Sequence, residues 1–158
     1  MSSAVITPHC RAATERDVPA LLALDAVCAP VDAIDGQELY ILSDPAVMIF
    51  FLACGGLIVA EVDGQVVGYI LSHIVEHMHG IDRLVWIEHI GVHPAFRRRG
   101  IGLHLLTYLR VHYRGRAAVL HAAIHPRNHA SLELFQRFPA ECAERVLAYI
   151  AIEVPDAS

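Results

Sequence analysis

The stretch richest in chemistry is Val92-His93-Pro94-Ala95-Phe96-Arg97-Arg98-Arg99-Gly100-Ile101-Gly102, which runs directly into Leu103-His104-Leu105-Leu106. It reads as the end of a strand, a tight basic turn with two glycines, and the start of an amphipathic helix. Such a turn aims several backbone N–H groups and a helix N-terminus at one point, which suits a pyrophosphate. Gly100 and Gly102 allow close backbone approach because neither carries a Cβ. Arg98 or Arg99 can reach a further phosphate, where the guanidinium fork suits phosphate oxygens better than a lysine does. An isolated arginine run is ordinarily a solvated turn; here the glycines and the flanking strand and helix argue for a site.

A second candidate is Glu88, inside Trp86-Ile87-Glu88-His89-Ile90-Gly91-Val92. A carboxylate on an apolar strand is costly unless it is partnered or useful. Strict alternation places Trp86, Glu88, Ile90 and Val92 on one face and His89 on the other, provided no bulge shifts the phase. The structural alternative is an ion pair with an arginine such as Arg83. A third group is Asn128-His129-Ala130-Ser131-Leu132-Glu133-Leu134-Phe135-Gln136-Arg137-Phe138, where Asn128 is a good helix N-cap in any fold.

The eleven histidines are densest at His73, His77 and His79 and at His121, His125 and His129. None has strong zinc spacing, and residues four apart on a strand lie far from each other, so no metal is expected. Cys10, Cys28, Cys54 and Cys142 are widely spaced and form no C-x-x-C, which reads as reduced, mostly buried thiols of a cytoplasmic protein.

These residues need a frame. Cys10 to Ala13 reads as a first strand, and Thr14 as the N-cap of a helix with Leu21, Leu22, Leu24, Asp25, Val27 and Cys28 on its inner face, stopped by Pro30. Asp32 to Ser43 reads as a weaker helix. Asp44 caps another, with Pro45 at its first position and Gly55 at its end. The runs Leu57–Val62 and Val66–Leu71 about Asp63-Gly64-Gln65 predict a hairpin, whose second strand continues to about Val75. A turn at His77–Asp82 leads to a strand over Arg83–Val92. A helix over Gly100 to about Tyr113, a strand over Ala117–Ile124, a helix over His129–Phe138 and a final strand over Arg145–Val154 complete the reading, with a short extra strand near Ala140. Hairpins first and a strand–helix–strand crossover after them predict a mixed α/β sheet with helices on its faces.

With 158 residues, 55% of them apolar and 18% charged, the chain suits a single domain with a full core, residues 1–158, and is not disordered. A net charge of −5 argues against a general nucleic-acid binder. The first residues have neither a basic nor an apolar region, so no signal peptide is read there. The apolar stretch Ala46–Ala60 is too short to span a bilayer and is split by Gly55-Gly56, so no membrane partner is expected; a buried helix followed by a strand accounts for it better. The high mean hydropathy of +0.44 points to a homodimer.

The R-x-x-G-x-G pattern of Arg97–Gly102 after a strand, with V-x-P (Val92-His93-Pro94) before it, resembles the coenzyme A loop of the GNAT acyltransferase superfamily. The order of elements from about Cys10 to Val154 is similar to that fold: a mixed, mostly antiparallel central sheet flanked by helices. Asn128 to Phe138 resembles the family's N-x-x-(A/S)-x-x-L-Y helix. The resemblance implies an N-acetyltransferase using acetyl-CoA, without a metal, on a primary amine of a small molecule or peptide. It implies a cofactor site of Ile90, Gly91 and Val92 on a splayed strand, the loop of Arg97, Arg98, Arg99, Gly100, Ile101 and Gly102, and Asn128, Ser131 and Phe135 on the later helix. Gly91 then fits a local break in strand pairing.

Acetyl transfer requires a neutral amine, and alkyl amines titrate near ~10.4. Glu88 is the best base, at a place where some GNAT enzymes, notably polyamine acetyltransferases, carry a glutamate. The N–H of Val92 can polarise the thioester carbonyl. Phe135 departs from the family, which usually has a tyrosine there to protonate the leaving thiolate. Either the thiolate leaves unassisted, or Tyr69, Tyr108 or Tyr149 substitutes, or the domain binds acyl-CoA without catalysis. Ala123 also replaces a glutamate found in some protein N-terminal acetyltransferases. No cysteine matches a nucleophile position, so the attack is direct, in a ternary complex. Asp32, Asp35, Glu38 and Asp44 give the acceptor side an acidic cast that favours a cationic acceptor.

Overall fold

The computed structural model describes residues 6–29 and 41–137. The weaker helix proposed over Asp32–Ser43 (apart from its last residues), the extra strand near Ala140, the final strand Arg145–Val154, Cys142 and Tyr149 lie outside them.

Among the described residues, five strands form one sheet in the order β1-β2-β3-β4-β5: β1 His9–Ala12, β2 Leu57–Val62, β3 Gln65–Met78, β4 Ile81–Val92 and β5 Val119–Ala122. Neighbours are antiparallel except β4 and β5, which are parallel and joined through a helix. The β2–β3 hairpin turns at Asp63 and Gly64, whose φ angles of 50° and 78° are both left-handed. That turn matches the right-handed strand twist, and Asp-Gly tolerates it. β3 runs on to Met78, beyond the expected end near Val75, because β4 pairs with it almost to the His79-Gly80 turn.

Among the described residues, four α-helices cover the faces: α1 Val18–Cys28, α2 Pro45–Ala53, α3 Ile101–His112 and α4 His129–Arg137. Thr14 opens a single 3-10 turn rather than α1 itself. Asp17 reaches back to accept from the Thr14 N–H (2.8 Å) and Oγ1 (3.1 Å), so the chain turns before α1 starts. Leu21, Leu24, Asp25 and Cys28 are buried at helical spacing, while Leu22 and Val27 face outward. α2 begins as its sequence requires, with Asp44 accepting from the Ala46 N–H at 2.9 Å and Pro45 in the first turn. It is not fully buried: Met48 and Phe51 point inward, and Ile49 and Phe50 are exposed.

The sheet carries a core on each face. On one, Ile58, Ile70, Val85 and Ile87 pack against Ile101, Leu105, Leu106 and Leu109 of α3. On the other, Leu57, Val59, Tyr69 and Leu71 pack against α1 and α2. Each fully buried aliphatic side chain contributes about 1.5–3 kcal/mol. Cys10 is half-buried, and burial pushes its thiol up to about 11. Cys28 is buried, whereas Cys54, expected inside, is exposed because it follows α2 at the surface.

Candidate active site on the open edge of β4

Strand β4 carries an extra residue. Leu71 faces His89 and Ser72 faces Ile87, so Glu88 has no opposite number on β3. This bulge reverses the inside–outside phase. Val85 and Ile87 before it, and Ile90 and Val92 after it, all turn toward the α3 core. Glu88 and His89 both turn toward the α2 face, where His89 stacks on Tyr69 with centroids 5.6 Å apart and Glu88 borders a cleft with Phe50, Phe51 and His73. The simple alternation is therefore corrected. Glu88 does not share a face with Ile90 and Val92, and His89 does not oppose it. The break in pairing falls at Glu88 and not at Gly91, which stays paired with Tyr69. Gly91 is glycine for a different reason: a Cβ there would meet Tyr69 Cε1 at 2.5 Å.

The bond from the His93 N–H to the Val67 carbonyl (2.8 Å) sets the polarity of the strand. By antiparallel alternation, His89 and Gly91 direct their N–H and C=O toward β3, and Ile90 and Val92 direct theirs to the opposite edge. Pairing with β5 on that edge covers only Leu84–Ile87. Among the described residues, no strand continues it past Ile87, so the Ile90 and Val92 backbone faces a gap between β4 and β5. Arg97 closes part of that gap, its Nε donating to the Val92 carbonyl at 2.9 Å.

After β4, His93 Nδ1 accepts from the Ala95 N–H at 3.1 Å and the chain makes one 3-10 turn over Pro94–Phe96. Arg98 and Gly100 are left-handed, with φ of 62° and 83°. Glycine relieves that conformation at position 100, where a Cβ would meet nothing closer than 3.9 Å. Gly102 has another cause, since a Cβ there would come within 2.9 Å of Leu134 Cδ2 where α4 packs on α3. The first helical bond of α3 runs from the His104 N–H to the Gly100 carbonyl (3.0 Å). The N–H groups of Ile101, Gly102 and Leu103 therefore precede the helical ladder and form an anion-seeking end. The Ile101 side chain is core, 1% exposed, so only its backbone can serve a ligand.

The arginines do different things. Arg98 pairs with Glu133 of α4 at 3.1 Å, and the Arg99 guanidinium lies over the Phe96 ring, 5.7 Å from its centroid. On α4, the Asn128 carbonyl oxygen accepts from the Ser131 N–H at 3.1 Å, so that half of the side chain caps the helix. Its NH2 group is the half left for another partner. Ser131 and Phe135 are half-buried beside the core.

On the other face, an open cleft of about 530 Å3 is lined by Ile41, Ala46, Val47, Phe50, Phe51, Leu71, His73 and Glu88. Glu88 is 43% exposed and lies 3.8 Å from His73 Nδ1. Arg83 is not its partner, because it pairs with Glu76 across the strands at 3.2 Å. Tyr69 is excluded as a source of protons for this region: it is buried, and its hydroxyl donates to Asp25 Oδ1 at 2.9 Å. Tyr108 stacks on His112 along α3. Asp25, 2% exposed, also accepts from the Leu42 N–H at 3.0 Å. A polar residue at a core position of α1 was its only trace in the sequence. The His73 contact and the bulge had none. Among the described residues, no group of three His, Cys, Asp or Glu side chains is arranged to hold a metal, and no helix is long and apolar enough to cross a membrane.

Comparison with known proteins agrees with this architecture. No curated protein matches the chain. Among solved structures, the aminoglycoside N-acetyltransferase AAC(6')-Iy, in complex with a bisubstrate analogue, superposes with TM-score 0.72 at 22% identity, over 92% of this chain and 99% of that one. A ribosomal-protein-alanine N-acetyltransferase from Brucella melitensis gives 0.69 at 20% identity, over 93% and 100%. A transcriptional regulator from Bacillus halodurans gives 0.70 at 20% identity, over 92% and 100%. The model of the Acetyltransferase (GNAT) family matches residues 21–138. The chain belongs to the GNAT acetyltransferase family and is an acyltransferase.

Proposed function

We propose that the protein transfers an acetyl group from acetyl-CoA to a primary amine by direct attack in a ternary complex. The observation that carries this reading is the divergence of β4 from β5 just past Ile87, with the unladdered N-terminus of α3 beside one end of the gap and Glu88 at the bulge. Backbone N–H groups of Ile101–Leu103, the Gly100 turn and Arg99 suit a pyrophosphate and a neighbouring phosphate. The outward backbone of Ile90 and Val92, with the Asn128 amide, suits a pantetheine arm that lies like an added strand. Structures of AAC(6')-Iy with CoA support the choice of ligand.

Acetyl-CoA is a substrate here and supplies the activated thioester. Glu88 accepts a proton from the acceptor ammonium, directly or through water, and leaves a neutral nucleophile. The Val92 N–H, directed into the gap, stabilises the developing oxyanion. The new C–N bond forms as the C–S bond breaks, the attacking nitrogen gives up its second proton to water as it becomes the amide, and the thiolate departs with its electron pair. Phe135 offers it no proton. A thiol titrates near ~8.5, so its thiolate is an acceptable leaving group that later takes a proton from water.

The test is thermal unfolding with and without acetyl-CoA, beside Arg99→Glu and Gly100→Glu, followed by turnover over a broad amine panel. A ligand at about 100 times its Kd adds ~2.7 kcal/mol of stability. Stabilisation lost in both variants, with amine-dependent release of CoA, is the expected result. Stabilisation without turnover of any amine indicates a non-catalytic acyl-CoA-binding domain, the reading that Phe135 favours. No stabilisation at millimolar acetyl-CoA removes the cofactor assignment.

A further inference from the structure

The acceptor side of the sheet is built from rings. His73 on β3 lies directly opposite Trp86 on β4, and Trp86 directly opposite His121 on β5. Directly opposed residues share a face, so the three form a row across three strands. Trp86 and His121 meet edge to face at 5.7 Å. At the other end of the row, His73 meets Phe50 at 5.9 Å and Phe51 at 6.0 Å, which carries the row up onto α2. Phe50 is 51% exposed and Trp86 is partly exposed, so the rings present area to whatever enters.

Of these rings, Phe50, Phe51 and His73 line the cleft, together with Ile41, Ala46, Val47 and Leu71; Trp86 and His121 continue the row beside it on the same face, and the one carboxylate of the described wall is Glu88. Beside it, His73 Nδ1 is buried without a hydrogen bond, and its 3.8 Å from Glu88 is too long for one. A nitrogen seated at this end can hydrogen-bond to Glu88, which is 43% exposed.

Resting on the acetyltransferase reading above, we propose that the acceptor is a single primary amine carried on a flat apolar or aromatic body. Phe50, Phe51 and His73 hold the body, with Trp86 next to them on the same face of the sheet, and Glu88 receives the amine. Rings of this kind bind flat apolar groups by offset and edge-to-face packing and attract a nearby ammonium. A polycation is disfavoured on the same wall. One of its ammonium groups meets Glu88, and the rest lose water against apolar side chains without an opposite charge. Asp44, the described member of the acidic segment, is not among the residues that line the cleft and turns Oδ1 to the Ala46 N–H at the start of α2. Asp32, Asp35 and Glu38, the rest of that segment, lie outside the described residues.

Trp86 is the only tryptophan of the chain, so its emission reports on this surface without any acetyl transfer. The experiment titrates 2-phenylethylamine and spermidine into the full chain, with and without CoA, and follows tryptophan fluorescence. It is repeated with Phe50→Ala, and kcat/KM is measured for both amines. The expected result is a saturable change with 2-phenylethylamine, about three- to tenfold weaker in Phe50→Ala, and a kcat/KM at least ~10-fold above that for spermidine. Phe50→Ala should raise KM for the aromatic amine and leave KM for acetyl-CoA unchanged. Tighter binding or faster turnover of spermidine overturns the proposal, as does the absence of saturable binding of 2-phenylethylamine. Aromatic amine binding without acetylation would instead count against the acetyltransferase reading alone.

Discussion

The ring of Tyr69 lies where a side chain at position 91 would begin, with Cε1 at 2.5 Å and Cζ at 2.8 Å from the site of a Cβ on Gly91. That contact ties the buried α1 face to the backbone just after the Glu88 bulge. Gly91→Ala must displace a core ring held at its hydroxyl by Asp25, so it should destabilise the fold by about 1–3 kcal/mol. Thermal unfolding should show the loss, and acetyl-CoA affinity should fall with it because Ile90 and Val92 move too. A variant as stable as the native chain would show that the ring moves at little cost.

Tyr69→Phe keeps the ring and removes the hydroxyl from Asp25. A buried carboxylate then loses one partner and keeps only the Leu42 N–H. The expected cost is about 1–3 kcal/mol in denaturant unfolding. Asp25→Asn in the Tyr69→Phe background should recover part of it, because an amide is cheaper to bury than a charge.

The two glycines of the loop should respond differently. Gly100→Ala forces a Cβ onto a φ of 83° and should cost about 1 kcal/mol whatever its surroundings. Gly102→Ala meets only the end of Leu134, so Leu134→Ala should relieve it. A double-mutant cycle on 102 and 134 should give a coupling of about 0.5–3 kcal/mol, and one on 100 and 134 almost none.

Stability at low pH should depend on Asp17. Arg11 bonds it through both terminal guanidinium nitrogens, Nη2 at 2.7 Å and Nη1 at 2.8 Å, and holds its carboxyl down to about 2 from an ordinary 3.8. The same arginine bonds Glu61 at 2.6 Å and lowers that carboxyl as well. A depressed carboxyl stabilises the fold fully above its unfolded value and loses that contribution as pH falls through the folded one. The Asp17 contribution, on the order of 2 kcal/mol, should thus be intact at pH 5, largely lost by pH 2 and gone below it. Asp17→Asn should flatten the acid limb of unfolding free energy against pH over that window; an unchanged slope would disprove the role.

Glu88→Gln keeps the shape of the bulge and removes the base. It should lower kcat/KM by about 10²–10⁴ near neutral pH, and much less where the amine is already deprotonated. Stabilisation by acetyl-CoA should persist, since Glu88 faces the cleft and not the Arg97–Gly102 loop. Equal losses at pH 7 and pH 10 would mean that Glu88 positions the acceptor without taking its proton.

Local codes decided much of this in advance. The Asp63-Gly64 turn, the Asp44-Pro45 helix start, the 3.6-residue spacing of α3 and the glycine-flanked arginines are written in a few adjacent residues, because backbone sterics and caps act over three or four positions. The family itself was legible in R-x-x-G-x-G and V-x-P for the same reason. What a side chain faces is not local. The Glu88 bulge exists only because β3 and β4 pair at a register set along their whole length, and one extra residue turned His89 to the Tyr69 side and Ile90 to the α3 core. Gly91 and Gly102 look like loop and turn glycines in sequence, yet their reasons are Tyr69, 22 residues away, and Leu134, 32 residues away. The Tyr69–Asp25 bond and the ring row His73–Trp86–His121 likewise join segments far apart in the chain. Among the described residues, the elements, their order and the shape of the arginine loop followed from the sequence alone, since each depends on short-range geometry; only tertiary packing decided which face of the sheet each β4 side chain meets.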